Sequence, residues 1–182
     1  MGQLFIISGP SGVGKGTVIA SLLKRHRDLH LAISATTRSP REGEVDGKNY
    51  HFLSEQAFQD AIQRNGFLEY CKVHQAYYGT LYSEIEKKGN QNVLLEIDVQ
   101  GAKKVKKIIP DVTTIFLLPP SIQELERRLT ERQSEKPDII QKRLLIAKSE
   151  IAEAGNYDYQ IVNDTLENTV KSIEEIMEHM LC

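Results

Sequence analysis

Leu4-Phe-Ile-Ile-Ser8 runs straight into Gly9-Pro-Ser-Gly-Val-Gly14-Lys15-Gly16-Thr17, and a helical pattern then extends from about Lys15 to His26. The apolar run is too continuous for a half-exposed strand. It reads as a strand buried on both faces, the kind that parallel sheets use. The glycine-rich turn behind it points backbone N–H groups inward, and the helix adds the positive end of its dipole. Strand, spacing, lysine and helix agree on a phosphate-binding loop made by Gly9, Pro10, Ser11, Gly12, Val13, Gly14, Lys15, Gly16 and Thr17. Lys15 is expected to reach the β- and γ-phosphates of a nucleotide. One position departs from the common pattern: Gly16 follows the lysine, and the hydroxyl comes one residue later, at Thr17. Thr17 is therefore expected to meet a phosphate oxygen, with Mg²⁺ held largely through water.

Outward from that loop, Val93–Asp98 (VLLEID), Val112–Leu118 (VTTIFLL) and Tyr159–Asn163 (YQIVN) read as further buried strands with helices between them. Ser121 with Glu124 starts a helix that runs to about Arg132, and Asp164 with Glu167 starts the last one, to Met180. Alternation of this kind predicts an α/β fold, a three-layer sandwich around a mostly parallel central sheet. Two stretches break it. Residues 34–80 are polar and aromatic, with short strands and a helix from Ser54 to Asn65 closed by Gly66; residues 124–150 are charged and helical. The expected organisation is one domain, 1–182, with a core of about 1–33, 81–123 and 151–182. A small mixed insertion at 34–80 and a helical lid at 124–150 would cover the C-terminal edge of the sheet, where open α/β folds bind ligands.

Composition narrows the function classes. The chain has 182 residues, 40% hydrophobic and 26% charged, with a formal net charge of -2. That is one globular domain with no global attraction to nucleic acid or anionic lipid, so anion binding must come from local clusters. Lys103, Lys104, Lys106 and Lys107 lack interleaved aromatics and read as a solvated helix face. Cys71 and Cys182 give neither metal spacing nor a disulfide framework, and the five histidines show no partner pattern. No apolar run approaches the ~20 residues of a membrane span, and no signal-peptide pattern is seen. The expectation is a cytoplasmic protein with no nucleic-acid, membrane or obligate protein partner.

The arginines suggest the acceptor. Arg38, Arg41, Arg127, Arg128, Arg132 and Arg143 lie in the two inserted stretches. Arginine holds phosphate oxygens in a planar fork, so this clustering points to a substrate that brings its own phosphate. A phosphate acceptor is already an anion near neutral pH, its second pKa being about 6. It needs no general base, only cations around the transferring group. Many arginines and no evident base fit a nucleoside monophosphate kinase. Asp98, at the end of VLLEID, is placed either to hold the Mg²⁺ shell or to cap the helix that follows.

Ser34-Ala-Thr-Thr-Arg38-Ser-Pro-Arg41-Glu-Gly-Glu44-Val-Asp-Gly-Lys-Asn-Tyr50 closely resembles the signature of guanylate kinases. So do Glu69 after Gly66-Phe-Leu, the run Tyr77-Tyr78-Gly79-Thr80, and Leu95-Glu-Ile-Asp98-Val-Gln-Gly101. The similarity extends over essentially the whole chain. It implies an ATP:GMP phosphotransferase of purine nucleotide metabolism, with ATP and GMP as substrates and Mg²⁺ as cofactor. Ser34, Arg38, Arg41, Tyr50 and Tyr78 would hold the GMP phosphate, and Glu44 would either orient the arginines or form a plain loop ion pair. Asp98 joins the GMP site in this reading. Glu69 and Thr80 would read guanine: one carboxylate accepts from N1–H and the 2-amino group, and the threonine donates to O6. Adenine would leave that carboxylate buried and unpaired, a mismatch worth roughly 10⁴ in discrimination. Stretch 124–150 resembles the family's lid, with Arg128, Arg132 and Arg143 at catalytic positions beside Lys15, Arg38 and Asp98. Its turn, Arg132-Gln-Ser-Glu-Lys-Pro137, lacks the family's usual glycine. Asn163 resembles an adenine contact, with capping of the last helix as the equal alternative. Three other readings are weaker. A catalytically dead binding module should have a degraded phosphate loop, a nucleoside monophosphate kinase with AMP or a pyrimidine nucleotide as acceptor is opposed by Glu69 and Thr80, and a GTPase switch should carry an NKxD-type guanine loop.

Overall fold

The computed structural model describes residues 2–73, 75–86, 89, 91–131 and 137–181. In chain order the elements are β1 (Leu4–Ser8), α1 (Lys15–Arg25), β2 (Leu29–Leu31), β3 (Ala35–Thr36), β4 (His51–Phe52), α2 (Glu55–Gln63), β5 (Phe67–Val73) and β6 (Ala76–Leu81). Then come α3 (Tyr82–Glu86), β7 (Asn92–Glu96), α4 (Val99–Ile108), β8 (Thr113–Leu118), α5 (Ile122–Glu131), α6 (Pro137–Ala152), a 3₁₀ turn (Ala154–Asn156), β9 (Tyr159–Val162) and α7 (Leu166–Leu181). One sheet has the order β2-β7-β1-β8-β9, with β2–β7 and β8–β9 parallel; the other, β4-β3-β6-β5, is mixed. The α/β class expected from the alternating pattern is the class observed.

Contacts group the chain into two compact units, 1–5 with 28–112 and 6–27 with 113–182, and the boundary passes through β1. The second unit carries the phosphate loop. Ile6, Ile7, Ile115, Phe116 and Leu117 are fully buried, which is why their strands read as unbroken apolar runs. Leu125, Leu129, Leu144 and Ala147 join α5 to α6, with Ile140 and Ile151 packed against them. Arg25 reaches Glu167 at 2.5 Å and Glu174 at 3.4 Å, tying the end of α1 to α7.

The first unit holds the mixed sheet. Its small core is Ala35, Phe58 and Phe67, with Leu53, Ala61, Ile62, Tyr77 and Leu81 around it. Phe58 stacks on Phe67 at 4.3 Å between centroids, an apolar anchor for a sheet in which two of the four strands have only two residues each.

Three local expectations shift. Helix α2 ends at Gln63, and the left-handed residue that stops it is Asn65, with φ 52°, rather than Gly66. Asparagine tolerates that conformation better than most side chains. Helix α7 starts after Thr165, whose hydroxyl accepts from Asn168 N–H at 3.3 Å, while Asp164 accepts from Thr165 N–H at 2.5 Å. The cap is therefore one residue later than the Asp164–Glu167 pattern suggests. Ser121 does cap α5, accepting from Glu124 N–H at 3.0 Å. Glu124, however, turns to Arg127 and Arg128 instead of closing the box, and those two partners draw its carboxyl down to about 2.

Candidate active site

In the unit of 6–27 and 113–182, the loop between β1 and α1 is shaped by backbone. Gly14 has φ 105° and caps α1; a Cβ there would lie 2.8 Å from Asn163 Nδ2. Gly9 has φ 154°, and its Cβ would meet Leu117 O at 2.6 Å. Only glycine allows this path. The Lys15 ammonium donates to Gly9 O at 2.6 Å and Pro10 O at 3.3 Å, so the loop encloses its own cation. Arg143 Nη2 donates to Ser11 Oγ at 2.5 Å. Arg128 donates to Val13 O at 3.1 Å and to Glu124 Oε1 at 2.8 Å. Two arginines expected at the phosphates thus rest on the loop itself. Arg132 lies outside the described residues.

Asn163 is buried under the same loop, and both ends of its amide are engaged. Nδ2 donates to Val13 O at 2.7 Å, and Oδ1 accepts from Thr169 Oγ1 at 2.9 Å. It links β9, α7 and the loop as a strut. Thr165, not Asn163, caps α7. Thr17 is exposed on the first turn of α1, and Gly16 has open space beside it.

In the unit of 1–5 and 28–112, side chains build the site. Arg38 meets Glu44 in a two-point pair, both contacts 2.9 Å, and Arg41 N–H donates to Glu44 Oε2 at 2.7 Å. The two readings of Glu44 therefore coincide: it forms a loop ion pair, and that pair orients Arg38. Glu44, with help from Tyr78 and against burial, holds the Arg38 guanidinium above the ordinary arginine range. Arg38 also lies 5.4 Å from the Tyr50 ring centroid, and Tyr50 meets Tyr78 edge-on at 6.0 Å. Burial, then Glu96, pushes the Tyr50 phenol up. Ser34 is half-buried immediately before β3.

Glu69 is 5% exposed and accepts from Thr80 Oγ1 at 2.9 Å. Burial raises its carboxyl above the ordinary range, with Thr80 opposing and Asp98 adding to the rise. The threonine hydroxyl, expected to face a base, is here committed to orienting the acid. Asp98 caps α4, accepting from Gly101 N–H at 2.7 Å, and its other oxygen accepts from Cys71 Sγ at 3.5 Å. The cap alternative is thus observed, and it presents the carboxylate beside Glu69.

Two neighbours escaped the sequence reading. A Cβ on Gly101 would come 2.8 Å from Glu69 Oε2, so the acid can lie there only because residue 101 has no side chain. Cys71, whose thiol is pushed up to about 12 by burial and the nearby acids, stays protonated and donates to Asp98.

Among the described residues no group of three or more His, Cys, Asp or Glu is placed to hold a metal. No helix among the described residues is long and apolar enough to cross a membrane.

A buried strand, a phosphate loop seated on its own lysine and a largely parallel sheet define a P-loop α/β protein. The family model described as guanylate kinase matches residues 1–180. The chain is 49% identical to a guanylate kinase of Clostridium perfringens over 178 residues, 97% of this chain and 82% of the relative. It is 46% identical to one from Prochlorococcus marinus, over 97% of each chain. The crystal structure of guanylate kinase from Anaplasma phagocytophilum superposes with a TM-score of 0.81 at 32% identity, covering 98% of this chain and 85% of that one. The chain belongs to the guanylate kinase family.

Proposed function

We propose that this protein carries out its family's reaction, moving the γ-phosphoryl group of ATP onto the phosphate of GMP to give ADP and GDP. The observation that carries the choice of acceptor is the Glu69–Thr80 pair: a buried carboxylate, raised by burial, whose one described side-chain donor is a hydroxyl. Guanine offers the donors such an acid lacks. Its N1–H and 2-amino group would take the carboxylate oxygens, and the Thr80 hydroxyl is then free to turn towards O6. Ser34, Arg38, Arg41, Tyr50 and Tyr78 would hold the acceptor phosphate, with Glu44 fixing Arg38 and Asp98 fixing the nucleoside side.

On the donor side, residues 9–17 wrap the ATP phosphates, Lys15 exchanges its two carbonyl partners for phosphate oxygens, and Asn163 supports the loop next to the adenosine end. An oxygen of GMP attacks Pγ, the bond from Pγ to the bridging oxygen breaks, and the electron pair leaves with ADP. Arg128, Arg132 and Arg143 offset the charge that spreads over the γ-oxygens. Thr17 and Asp98 would hold the hydrated Mg²⁺, whose chemistry is to neutralise phosphate charge. Stretch 34–80 serves as the GMP insertion and 124–150 as the lid in this scheme. Both substrates are small cytoplasmic nucleotides, so the reading needs no membrane, nucleic acid or protein partner. The test is isotopic. With γ-labelled ATP and GMP, the label should appear in GDP; label released only as inorganic phosphate would refute the assignment.

A further inference from the structure

Glu69 and Glu84 are the two acids classed as buried among the described residues. Glu69 has a task in the reading above; Glu84 has none, and neither motif nor resemblance drew attention to it. Its carboxylate gathers three segments of the unit formed by 1–5 and 28–112. Oε2 accepts from Ile33 N–H at 3.0 Å, Oε1 lies 3.1 Å from His51 Nε2, and His30 Nε2 is 3.7 Å from Oε2. Burial alone would raise this carboxyl, but the Ile33 amide, then His51 and His30, hold it below the ordinary range, so it is ionised at neutral pH.

What these partners adjoin gives the cluster its meaning. Ile33 precedes Ser34, and His51 follows Tyr50. His51 also donates its N–H to Ser34 O at 2.9 Å. Helix α3, which carries Glu84, continues directly from β6, the strand of Tyr78 and Thr80. One carboxylate therefore joins the neighbours of Ser34 and Tyr50 to the end of the strand bearing Tyr78. Elements as short as β3 and β4, two residues each, cannot fix such side chains by ladder bonds alone. Holding them before the ligand arrives removes an ordering cost from binding.

We propose that Glu84 is a positioning residue for the acceptor phosphate, setting affinity for GMP through Ser34, Tyr50 and Tyr78. The proposal rests on the phosphotransfer reading above. Its test is KM for each substrate and kcat in the wild type, Glu84→Ala and Glu84→Gln, together with amide exchange at Ile33. Glu84→Ala should raise KM for GMP about tenfold. KM for ATP and kcat should stay within about twofold, because unit 6–27 with 113–182 is untouched. Glu84→Gln keeps an oxygen for Ile33 N–H and should return KM for GMP to within about threefold of wild type, with slow Ile33 exchange restored. His51→Phe removes one arm only, keeps the fold testable if Glu84→Ala collapses, and should give an intermediate KM. An unchanged KM for GMP in these variants, or equal rises for both substrates, would overturn the proposal while leaving the reaction in place. A wild-type chain that transfers nothing to GMP would overturn the reaction itself, and the proposal with it.

Discussion

The loop between β1 and α1 and the proposed acceptor site are built in opposite ways. The loop is nine contiguous residues of backbone, shaped by glycines, with a cation already seated on Gly9 and Pro10. The cluster proposed for the acceptor is made of side chains drawn from residues 34 to 98, with buried or half-buried acids at one end and Arg38 paired to Glu44 at the other. One folds backbone carbonyls around a lysine, and the other pairs an arginine with one acid and a hydroxyl with another. A phosphate-binding loop can thus be written in contiguous sequence, whereas a base-reading site needs residues that only folding brings together.

If the two regions have separate jobs, their variants should fail separately. The largest effect belongs to the loop. Lys15→Ala should lower kcat by about 10³, while calorimetry still finds wild-type affinity for GMP; lost GMP binding would break the division.

Next comes the base-reading acid. Glu69→Gln should lower kcat/KM for GMP by about 10², with KM for ATP unchanged. It also has a stability signature. The Glu69 carboxyl is raised in the folded state, so its contribution is full below the unfolded pKa and lost as pH rises through the folded one. Above its folded pKa the ionised, buried acid costs stability. Glu69→Gln should therefore melt higher than wild type without GMP, and the gap should close as pH falls into the carboxylate range. A variant that melts lower at neutral pH would count against this account.

Smaller effects sharpen the boundary. Gly101→Ala pushes a methyl into the Glu69 carboxylate and should raise KM for GMP about tenfold, leaving ATP alone. Asn163→Ala removes the strut under Val13 and should raise KM for ATP by about fivefold, leaving GMP alone. Steady-state kinetics with each substrate varied in turn checks both; a reversed pattern in either would merge the two regions into one.

The same contrast explains what could be read in advance. The loop was legible because its chemistry lies within Gly9 to Thr17 and its strand is buried on both faces. The α/β class followed from the same apolar runs. Arg38 stood out in the arginine cluster, but Glu69 and Thr80 were legible only through resemblance, since no local pattern links a carboxylate at 69 to a hydroxyl at 80; the β5–β6 register does that, pairing those very residues. Gly101 against Glu69, Cys71 against Asp98, and Glu84 against Ile33 and His51 span 27 to 51 positions. They depend on which strands pair and where α3 and α4 begin. The double use of Asn163 was hidden for the same reason, its partner Val13 being 150 residues away.

The most direct test of the central claim is ADP formation from Mg-ATP with GMP, AMP, CMP or UMP as sole acceptor. Turnover confined to GMP is the predicted result, because only guanine supplies the donors that a buried Glu69 requires. Comparable turnover with another nucleotide, or none with GMP, would contradict it.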